Sequence, residues 1–285
     1  MQLRAPAKIN LYLEVLGKRS DGYHDLISLM CCIGIYDTVR FSFGSPDASS
    51  GVSVACSHPK VPEDHNNLAY RAAKAFFSET GLHDQGLVIE IEKRIPVGAG
   101  LGGGSSNAAA VLSGLNRYYD HPIASDTLME IGRFLGADVP FFIFGGPAVA
   151  AGIGEKLTRF SGLPAMPLVL IYPGRSVSTA EVYKKLNLAL TKTKKIHTKS
   201  IFELDWETNG PKQLYNSLEP AAMELCPEIA AAKKALVECG AGGALMSGSG
   251  SSVFGIFKNT KKAETACRKI SGHRQWQVFH TQLLA

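Results

Sequence analysis

The sequence lacks the hallmarks of several large protein classes. None of its apolar runs reaches the about 18 residues that a helix needs to cross a bilayer, so we expect no membrane partner. The first ten residues carry Arg4 and Lys8 without a continuous apolar run, and we therefore expect no signal peptide. No tandem repeat occurs along the chain.

Cysteine is sparse, and its spacing is not that of a metal or redox site. Six of the 285 residues are Cys, and no two of them form a C-x-x-C pair. His24 and His121 have no Cys at metal-ligand spacing. This pattern is typical of reduced thiols in a cytoplasmic protein. It leaves any metal ligands unknown.

Positive charge is neither strong nor concentrated. A net charge of +5 favours an anionic small molecule over a nucleic acid, whose binding usually needs clustered basic residues. The densest basic cluster has no aromatic residue within it, so we interpret it as a solvated surface loop. It consists of Lys192, Lys194, Lys195 and Lys199. We expect no nucleic-acid partner and a monomer or weak homodimer.

The composition is that of a globular protein with a sizeable core. Hydrophobic residues make up 45% of the chain and charged residues 19%. The length favours two domains or one large α/β unit. Two prolines, Pro164 and Pro167, mark the predicted boundary. The sequence therefore predicts an N-terminal domain over residues 1–161 and a C-terminal domain over residues 162–285.

The spacing of apolar residues predicts both strands and helices, which gives an α+β fold. Residues 9–16 alternate with a period of two, which predicts a strand with one buried face and places Lys8 and Asn10 together on its polar side. A helical pattern covers Leu68–Thr80, and Gly81 ends it. Another helix is predicted over residues 128–135. Further strands are predicted at residues 25–43 (broken near Gly34), 87–95, 168–172 and 253–257.

The most informative local feature is a strand, a glycine loop and a helix in that order. After the strand come residues 96–107, PVGAGLGGGSSN, and then an Ala- and Leu-rich helical stretch over residues 108–119. Glycine lets backbone N–H groups approach an anion, and a helix start adds unpaired donors and a positive dipole end. Phosphate is the expected anion. The candidate phosphate-binding residues are Pro96, Gly98, Gly100, Leu101, Gly102, Gly103, Gly104, Ser105, Ser106 and Asn107.

Other interpretations of this loop are weaker. A Walker-type loop needs a Lys that the segment lacks. Gly98, Gly100 and Gly103 satisfy the spacing of a dinucleotide motif, but no acid clearly ends a following strand about 20 residues on. A flexible connector needs no fixed order of glycines, serines and helix. A kinase-type phosphate loop with neighbouring serines remains.

Three motifs together resemble those of one kinase superfamily. Residues 96–109 resemble the phosphate loop of the galactokinase, homoserine kinase, mevalonate kinase and phosphomevalonate kinase superfamily. Residues 5–11, APAKINL, resemble its N-terminal motif, and residues 246–252, MSGSGSS, its C-terminal motif. Within the superfamily, the combination of KINL, GYH, GGGSSNAA and GADVP is similar to the family of 4-diphosphocytidyl-2-C-methyl-D-erythritol kinases.

The resemblance implies a two-domain kinase fold with the active site in the cleft between the domains. It implies ATP as phosphoryl donor, Mg²⁺ beside it, and a cytidine diphosphate-linked methylerythritol as the small-molecule acceptor. That family phosphorylates the 2-hydroxyl of this acceptor in the non-mevalonate route to isoprenoid precursors. The alternatives are a related kinase for mevalonate, phosphomevalonate or homoserine, a non-catalytic nucleotide or sugar sensor, and a dinucleotide oxidoreductase.

Lys8 and Asp138 are the candidate catalytic residues. The resemblance implies that Asp138 accepts the proton of the acceptor alcohol, while Lys8 keeps that carboxylate ionised and offsets charge on the transferred group. Local sequence also fits two ordinary structural roles. Asp138 fits the N-cap of a helix with Pro140 in its first turn, and Lys8 fits a solubilising edge-strand lysine.

The resemblance also implies a cytosine pocket formed by Tyr23, His24 and Tyr183. An aromatic ring can stack on the base, and the imidazole can hydrogen-bond to it. Met30 stands where relatives often carry another aromatic residue. As local sequence, the three pocket residues also fit a turn aromatic, a surface histidine and an apolar helix face.

Further binding residues follow from the same resemblance. Asn67 is expected beside the adenine. The others are expected around the acceptor and its diphosphate, and they are Asn10, Thr179, Gly248 and Gly250. A tight turn before the strand at residue 253 accounts for the two glycines equally well.

Overall fold

A computed structural model describes residues 1–44, 51–186 and 205–284 of the chain, without the side chains of residues 207 and 208. Strands and helices follow one another along these ranges. The basic cluster at residues 192–199 lies outside these ranges. None of the helices in these ranges combines the length and the apolar composition that a membrane span requires.

The described residues form eleven strands and nine helices. The strands are β1 (Gln2–Lys18), β2 (His24–Ser42), β3 (Ser53–Cys56), β4 (Val88–Glu92), β5 (Ala148–Gly152), β6 (Lys156–Arg159), β7 (Pro167–Tyr172), β8 (Tyr215–Asn216), β9 (Gly243–Met246), β10 (Val253–Ile256) and β11 (Gln277–Leu284). The helices are α1 (Leu68–Thr80), α2 (Gly103–Tyr118), α3 (Ser125–Leu135), α4 (Val139–Phe144), α5 (Thr179–Lys185), α6 (Trp206–Gln213), α7 (Glu219–Leu225), α8 (Glu228–Glu238) and α9 (Thr260–Ile270).

Two compact units divide the chain, and each is built from separated stretches. Unit 1 consists of Met1–Ala7, Ile35–Val97 and Gly102–Gly145. Unit 2 consists of Lys8–Gly34, Gly98–Leu101 and Gly146–Ala285. The boundary predicted between residues 161 and 162, and the cleft predicted there, stay predictions.

Unit 1 packs α1, α2 and α3 around a short sheet. β4 pairs antiparallel with β2 from Thr38↔Glu92 to Ser42↔Val88, and β3 lies parallel to β4. Because apolar residues recur on one face of α1 and α2, both helices bury that face in a common core. Its members include Val39, Phe41, Ala72, Phe76, Ile89, Val111 and Leu115. This packing holds the start of α2, which follows the glycine loop.

Unit 2 is dominated by antiparallel strands. β10 lies between β7 and β9, and β11 lies on the other side of β7. β5 joins β2 antiparallel, and the short β8 lies parallel to β1. A second apolar core brings α7, α8 and α9 together with these strands. The mainly antiparallel pairing of strands with separate helices confirms the predicted α+β class.

The predicted single buried face of β1 is wrong. Lys8, Asn10, Tyr12 and Glu14, all on the side expected to be polar, are at most 5% exposed. The Tyr12 ring packs against Tyr215 of β8, with ring centroids 5.4 Å apart. An alternating sequence shows which residues are polar, but it does not show which of them are exposed to solvent. In β1 the polar side is covered by other parts of unit 2.

β2 also differs from its prediction, because it continues through Gly34 without a break. A Cβ at Gly34 would lie 3.0 Å from Thr281 Oγ1 of β11. The glycine therefore serves a close approach between strands and not a turn. α2 begins at Gly103, five positions before the predicted start, so the last glycines of the loop are already helical.

Candidate active site

Lys8 lies on β1 in unit 2, and its side chain is buried. Its ammonium donates to Asn10 Oδ1 over 2.9 Å, and only 5% of the residue is exposed. The interpretation as a solubilising edge-strand lysine is therefore wrong. Asn10 Nδ2 in turn donates to Ser28 Oγ over 2.7 Å. A buried ammonium held by an amide oxygen is suited to offsetting negative charge where little water competes.

The C-terminal glycine loop, residues 246–252, approaches these two side chains. A Cβ at Gly248 would lie 3.5 Å from both Asn10 Oδ1 and Lys8 Nζ. Buried Asn216 anchors the loop, because its Nδ2 donates to the carbonyl oxygens of Met246 and Gly248 over 2.9 and 2.8 Å. The structure thus brings Lys8 and Asn10 together with Gly248, which lies far from both in the sequence.

Glu219 supplies a second anchor for the same loop. Its Oε1 accepts from Met246 N over 2.9 Å, while Lys233 Nζ donates to Oε2 over 2.5 Å. A carboxylate that is only slightly exposed needs such partners to offset its loss of hydration. The backbone at the start of the C-terminal loop is therefore fixed from two sides.

Gly98 and Gly100 of the first glycine loop pack against the protein itself. A Cβ at Gly98 would lie 3.0 Å from Ser176 Cβ, and one at Gly100 would lie 2.3 Å from the carbonyl oxygen of Ser247. Both glycines have positive φ angles, 67° and 77°. Close approach between loops of unit 2 accounts for both glycines.

His24 and Tyr183 lie side by side in unit 2. Their ring centroids are 4.9 Å apart, and the ring planes are tilted by 33°. Burial and then the charge of Lys18 lower the pKa of His24, which favours a neutral imidazole at neutral pH. Tyr23 is 61% exposed, whereas Met30 is buried. The structure therefore unites two members of the predicted cytosine pocket and leaves the Tyr23 ring open to solvent.

Thr179 connects the start of α5 with the C-terminal glycine loop. Its Oγ1 lies 2.7 Å from Ser249 Oγ, so one hydroxyl donates to the other. Ser249 stands between Gly248 and Gly250, two residues that the resemblance places at the acceptor. The helix that carries Tyr183 is thereby tied to the loop.

In unit 1, α2 begins without a side-chain cap. Its N-cap residue is Gly102, with a φ of 69°, and no described side chain hydrogen-bonds there as a cap. Ser106 Oγ is buried and has no hydrogen-bond partner within the described residues. A Cβ at Gly136 would lie 3.6 Å from Ser105 Oγ, so the Ser105 hydroxyl faces the segment before Asp138. An uncapped helix start with two hydroxyls is suited to a phosphate.

A buried ion pair lies beneath this helix start. The ammonium of Lys93 bonds to Asp37 Oδ2 and, over 3.2 Å, to Asn107 Oδ1. Asn107 Nδ2 donates to Asp37 Oδ2 over 3.0 Å. Asp37 Oδ1 also accepts from the backbone N–H groups of Arg94 and Ile95. The Asn107 side chain therefore joins α2 to the segment before the glycine loop, and its predicted contact with ATP stays a prediction.

Asp138 stands at the N-cap position of α4 but does not cap it. No capping hydrogen bond from its side chain is present, and Pro140 occupies the first turn of the helix. The residue is half-buried. The interpretation of Asp138 as a capping side chain is therefore wrong, and the carboxylate keeps the capacity to act as a base.

Asn67 has a capping role that its sequence did not reveal. Its Oδ1 accepts from Ala69 N at the start of α1 over 2.8 Å, and its Nδ2 donates to the carbonyl oxygen of Pro62 over 2.6 Å. Contact with adenine stays a prediction, and it would have to coexist with these two bonds.

No set of metal ligands made of protein side chains emerges from the described ranges. Within them, no group of three or more His, Cys, Asp or Glu residues could hold a metal ion. The oxygen donors available at the start of α2 are the hydroxyls of Ser105 and Ser106.

Comparison with known proteins decides between the kinase families. The model of the family described as GHMP kinases N terminal domain matches residues 67–146, and that of GHMP kinases C terminal matches residues 199–273. Over 276 residues the chain is 44% identical to the 4-diphosphocytidyl-2-C-methyl-D-erythritol kinase of Geobacter sp. (strain M21), with 97% of this chain and 96% of that protein covered. The chain belongs to the 4-diphosphocytidyl-2-C-methyl-D-erythritol kinase family.

Two more relatives agree with this assignment. The 4-diphosphocytidyl-2-C-methyl-D-erythritol kinase of Syntrophus aciditrophicus (strain SB) is 43% identical over 279 residues, which cover 98% of each chain. A crystal structure of a 4-(cytidine 5'-diphospho)-2C-methyl-D-erythritol kinase matches with a TM-score of 0.84 and 36% identity, with 100% of each chain covered. The resemblance found in the motifs is confirmed for both the superfamily and the family.

Four supporting residues of this family member carry little or no signal in the sequence. Asp37 and Lys93 hold the glycine-loop helix, Asn216 anchors the C-terminal loop, and Ser28 bonds to Asn10. Asp37 is the only one of the four with a sequence signal, since it directly follows the mainly apolar residues 29–36 of β2. Asn216 left none, because a lone Asn in a polar stretch fits many ordinary roles.

Proposed function

We propose that this protein transfers the γ-phosphoryl group of ATP to the 2-hydroxyl of 4-diphosphocytidyl-2-C-methyl-D-erythritol, a step of the non-mevalonate route to isoprenoid precursors. The observation that carries the proposal is the 44% identity, over 97% of the chain, to a kinase named for this acceptor. The adjacent rings of His24 and Tyr183 support an acceptor that contains a base.

ATP is the donor in this proposal, and the start of α2 is its phosphate site. Residues 102–106 combine an uncapped helix N-terminus with two hydroxyl groups. Backbone N–H groups there donate to phosphate oxygens, and the helix dipole favours their negative charge. The buried pair of Lys93 and Asp37 keeps this helix start in place.

Mg²⁺ belongs to the same proposal. The buried Ser106 Oγ without a partner among the described residues fits a hard cation or a phosphate oxygen, because both form favourable contacts with a hydroxyl. Ser106, with Ser105 beside it, would hold the ion together with the nucleotide phosphates. When bound, Mg²⁺ neutralises phosphate charge and aligns the transferred group.

In the transfer step, the 2-hydroxyl oxygen forms a bond to the γ-phosphorus of ATP while the bond to the bridging β,γ oxygen breaks and ADP leaves. Asp138 takes the proton of the hydroxyl. The absence of a capping bond supports this role, since a capping carboxylate would be a weaker base. Lys8 offsets the charge on the transferred oxygens, and its burial strengthens that effect. The pairing of Lys8 with Asp138 stays a prediction.

The acceptor is recognised by residues of unit 2. The neutral imidazole of His24 offers one hydrogen-bond donor and one acceptor to the cytosine edge, and Tyr183 offers a stacking face. Thr179 bonds to Ser249, which stands between Gly248 and Gly250, so these predicted residues belong to one linked region for the diphosphate. Tyr23 completes the pocket from the solvent side.

A coupled assay of ADP release tests the proposal. Purified protein with ATP and Mg²⁺ is given the cytidyl acceptor, and parallel reactions receive mevalonate, phosphomevalonate or homoserine. We expect turnover with the cytidyl acceptor alone. Turnover confined to another alcohol would discard the cytosine pocket, and no turnover with any acceptor would favour a sensor.

A cytoplasmic location and a monomeric or weakly dimeric state complete the proposal. All six cysteines are free thiols in the structure, as in proteins of reducing compartments. Sedimentation velocity over a range of protein concentrations tests the oligomeric state, and a stable tetramer would contradict it.

A further inference from the structure

We propose that Ser28 is a positioning residue for phosphoryl transfer, because its hydroxyl fixes the side-chain amide of Asn10 and, through it, the ammonium of Lys8. Ser28 itself touches neither nucleotide nor acceptor in this proposal. The inference rests on the proposed function, since it assumes that Lys8 and Asn10 serve the reaction.

The hydroxyl of Ser28 already donates its proton, so its oxygen can only accept a further hydrogen bond. Ser28 is 1% exposed on β2, and its hydroxyl donates to the carbonyl oxygen of Tyr12 on β1 over 2.7 Å. A hydroxyl has a single proton to donate. Toward any other neighbour, the Ser28 oxygen can therefore only accept.

Asn10 is the neighbour that donates to it. Its Nδ2 lies 2.7 Å from Ser28 Oγ, and its Oδ1 lies 2.9 Å from Lys8 Nζ. A flipped amide would face the Ser28 oxygen with its own oxygen and the Lys8 ammonium with its NH₂ group. Both contacts would then be repulsive, so Ser28 selects the orientation in which Asn10 can hold Lys8.

The surroundings leave the three side chains little freedom. Lys8, Asn10 and Ser28 are each at most 5% exposed. Gly248 approaches so closely that a Cβ would lie 3.5 Å from both Asn10 Oδ1 and Lys8 Nζ. In such a buried and closely packed site, water cannot replace the hydrogen bonds that a wrongly oriented amide would lose. A shift of Asn10 is passed to Lys8 and to the loop at Gly248.

If the role of Ser28 were purely structural, its hydroxyl would only join β1 to β2 by a hydrogen bond. Ser217 provides a matched comparison, because its buried Oγ accepts from Val15 N of β1 over 3.0 Å and has no bond to Asn10. Loss of either hydroxyl removes a hydrogen bond that holds β1. Only the loss of Ser28 frees the Asn10 amide.

The experiment compares Ser28→Ala, Ser28→Thr and Ser217→Ala in the full chain. We expect Ser28→Ala to lower kcat about tenfold with an unchanged KM for ATP, which is the scale of one lost hydrogen bond. Ser28→Thr keeps the hydroxyl and should restore most of the rate. Ser217→Ala should lower the melting temperature without lowering kcat. An equal kcat loss in Ser217→Ala, or no rescue by Thr, would overturn the proposal.

A double-mutant cycle shows whether Ser28 acts through Asn10. Once Asn10→Ala has removed the amide, Ser28→Ala should cause no further loss of kcat. Independent losses that multiply in the double variant would overturn the proposal.

A measurement without turnover separates this inference from the proposed function. In ¹⁵N-labelled protein, hydrogen exchange of the Asn10 side-chain amide should accelerate in Ser28→Ala but not in Ser217→Ala. Unchanged exchange in Ser28→Ala would overturn the inference even in an active enzyme. An inactive wild type with accelerated exchange in Ser28→Ala would discard the proposed function while leaving the link from Ser28 to Asn10 supported.

Discussion

The hydroxyl of Ser247 donates to the carbonyl oxygen of Gly100 over 3.0 Å. A second bond, from Ser252 N to the carbonyl oxygen of Ala99, runs alongside it. Through these bonds the first glycine loop and the C-terminal glycine loop hold each other within unit 2. Two loops whose bonded residues Gly100 and Ser247 lie 147 positions apart therefore act as one structural element, so a change in one loop should alter the other.

Gly100→Ala should disrupt this element. The new Cβ would lie 2.3 Å from the backbone oxygen of Ser247, which cannot easily move, and the φ of 77° disfavours any L side chain. We expect a loss of more than about 2 kcal/mol in the free energy of unfolding, with a fall in kcat. Urea denaturation and the ADP-release assay measure the two effects.

The matched control is Gly17→Ala, also in unit 2. A Cβ at Gly17 meets no atom within 4 Å, so the free energy of unfolding should change by no more than about 0.5 kcal/mol. An equal effect in the two variants would show that contact with Ser247 is unimportant.

Lys93→Met should destabilise unit 1 and weaken ATP binding. It leaves the fully buried carboxylate of Asp37 without its cation, and that carboxylate also holds Asn107 and the backbone before the glycine loop. Breaking a buried ion pair on one side costs about 3–5 kcal/mol. Urea denaturation should show this loss, and KM for ATP should rise more than KM for the acceptor.

Arg94→Met is the control for the loss of a neighbouring cation. Arg94 pairs with Glu92 at the surface, where its side chain is 69% exposed, and such pairs contribute about 0–1 kcal/mol. A stability of Lys93→Met close to that of Arg94→Met would contradict the importance of the buried pair.

Asp138→Asn should abolish most turnover while leaving the fold intact. The amide cannot accept the proton of the alcohol, and general-base catalysis contributes about 10²–10⁴-fold in rate. Because the Asp138 side chain does not cap α4, helix stability should change little. The control is Asp126→Asn in the first turn of α3. Unchanged kcat in Asp138→Asn would remove Asp138 as the base.

Acceptor binding should depend on the protonation of His24. Burial and the charge of Lys18 lower its pKa below the ordinary value of 6.5, so the unfolded chain binds this proton more readily than the folded one. The contribution of His24 to the free energy of unfolding therefore falls as the pH drops below about 6.5 and recovers as the pH rises. We expect KM for the cytidyl acceptor to rise from about pH 7 to about pH 5, because the imidazolium loses its acceptor nitrogen.

His24→Ala separates this effect from other titrating groups. It should raise KM for the acceptor more than KM for ATP, and it should remove the acid-side rise in acceptor KM. A change confined to ATP binding, or a pH profile identical to that of the wild type, would argue against His24 as a cytosine ligand.

Much of the local structure follows from short-range pattern. Leu68–Thr80 is helical over the predicted span, and Gly81 ends it with a φ of 68°. The strand, glycine loop and helix occur in the predicted order, and the motifs alone indicate the family. These features depend on residues that are neighbours in the sequence, so their conformational preferences can be recognised from a short segment.

Long-range contacts account for the predictions that are wrong or incomplete. Gly34 predicts a break in its strand, yet it lets β11 approach β2. Lys8 fits a solubilising lysine in its local sequence, yet it is buried, and the distant Gly248 lies close to its ammonium. In both cases the local sequence allows several roles, and a partner elsewhere in the chain or in space selects one.

The sequence by itself determined the α+β class, the glycine loop before α2 and membership of a kinase family, because periodicity, glycine spacing and motif order are properties of the linear chain. Only the tertiary structure decided that Lys8 is buried against Asn10, that Ser28 orients that amide, and that Gly100 and Ser247 join two distant loops. Burial and hydrogen-bond partnership arise when distant segments pack together, and a linear pattern carries no record of which polar groups will then meet.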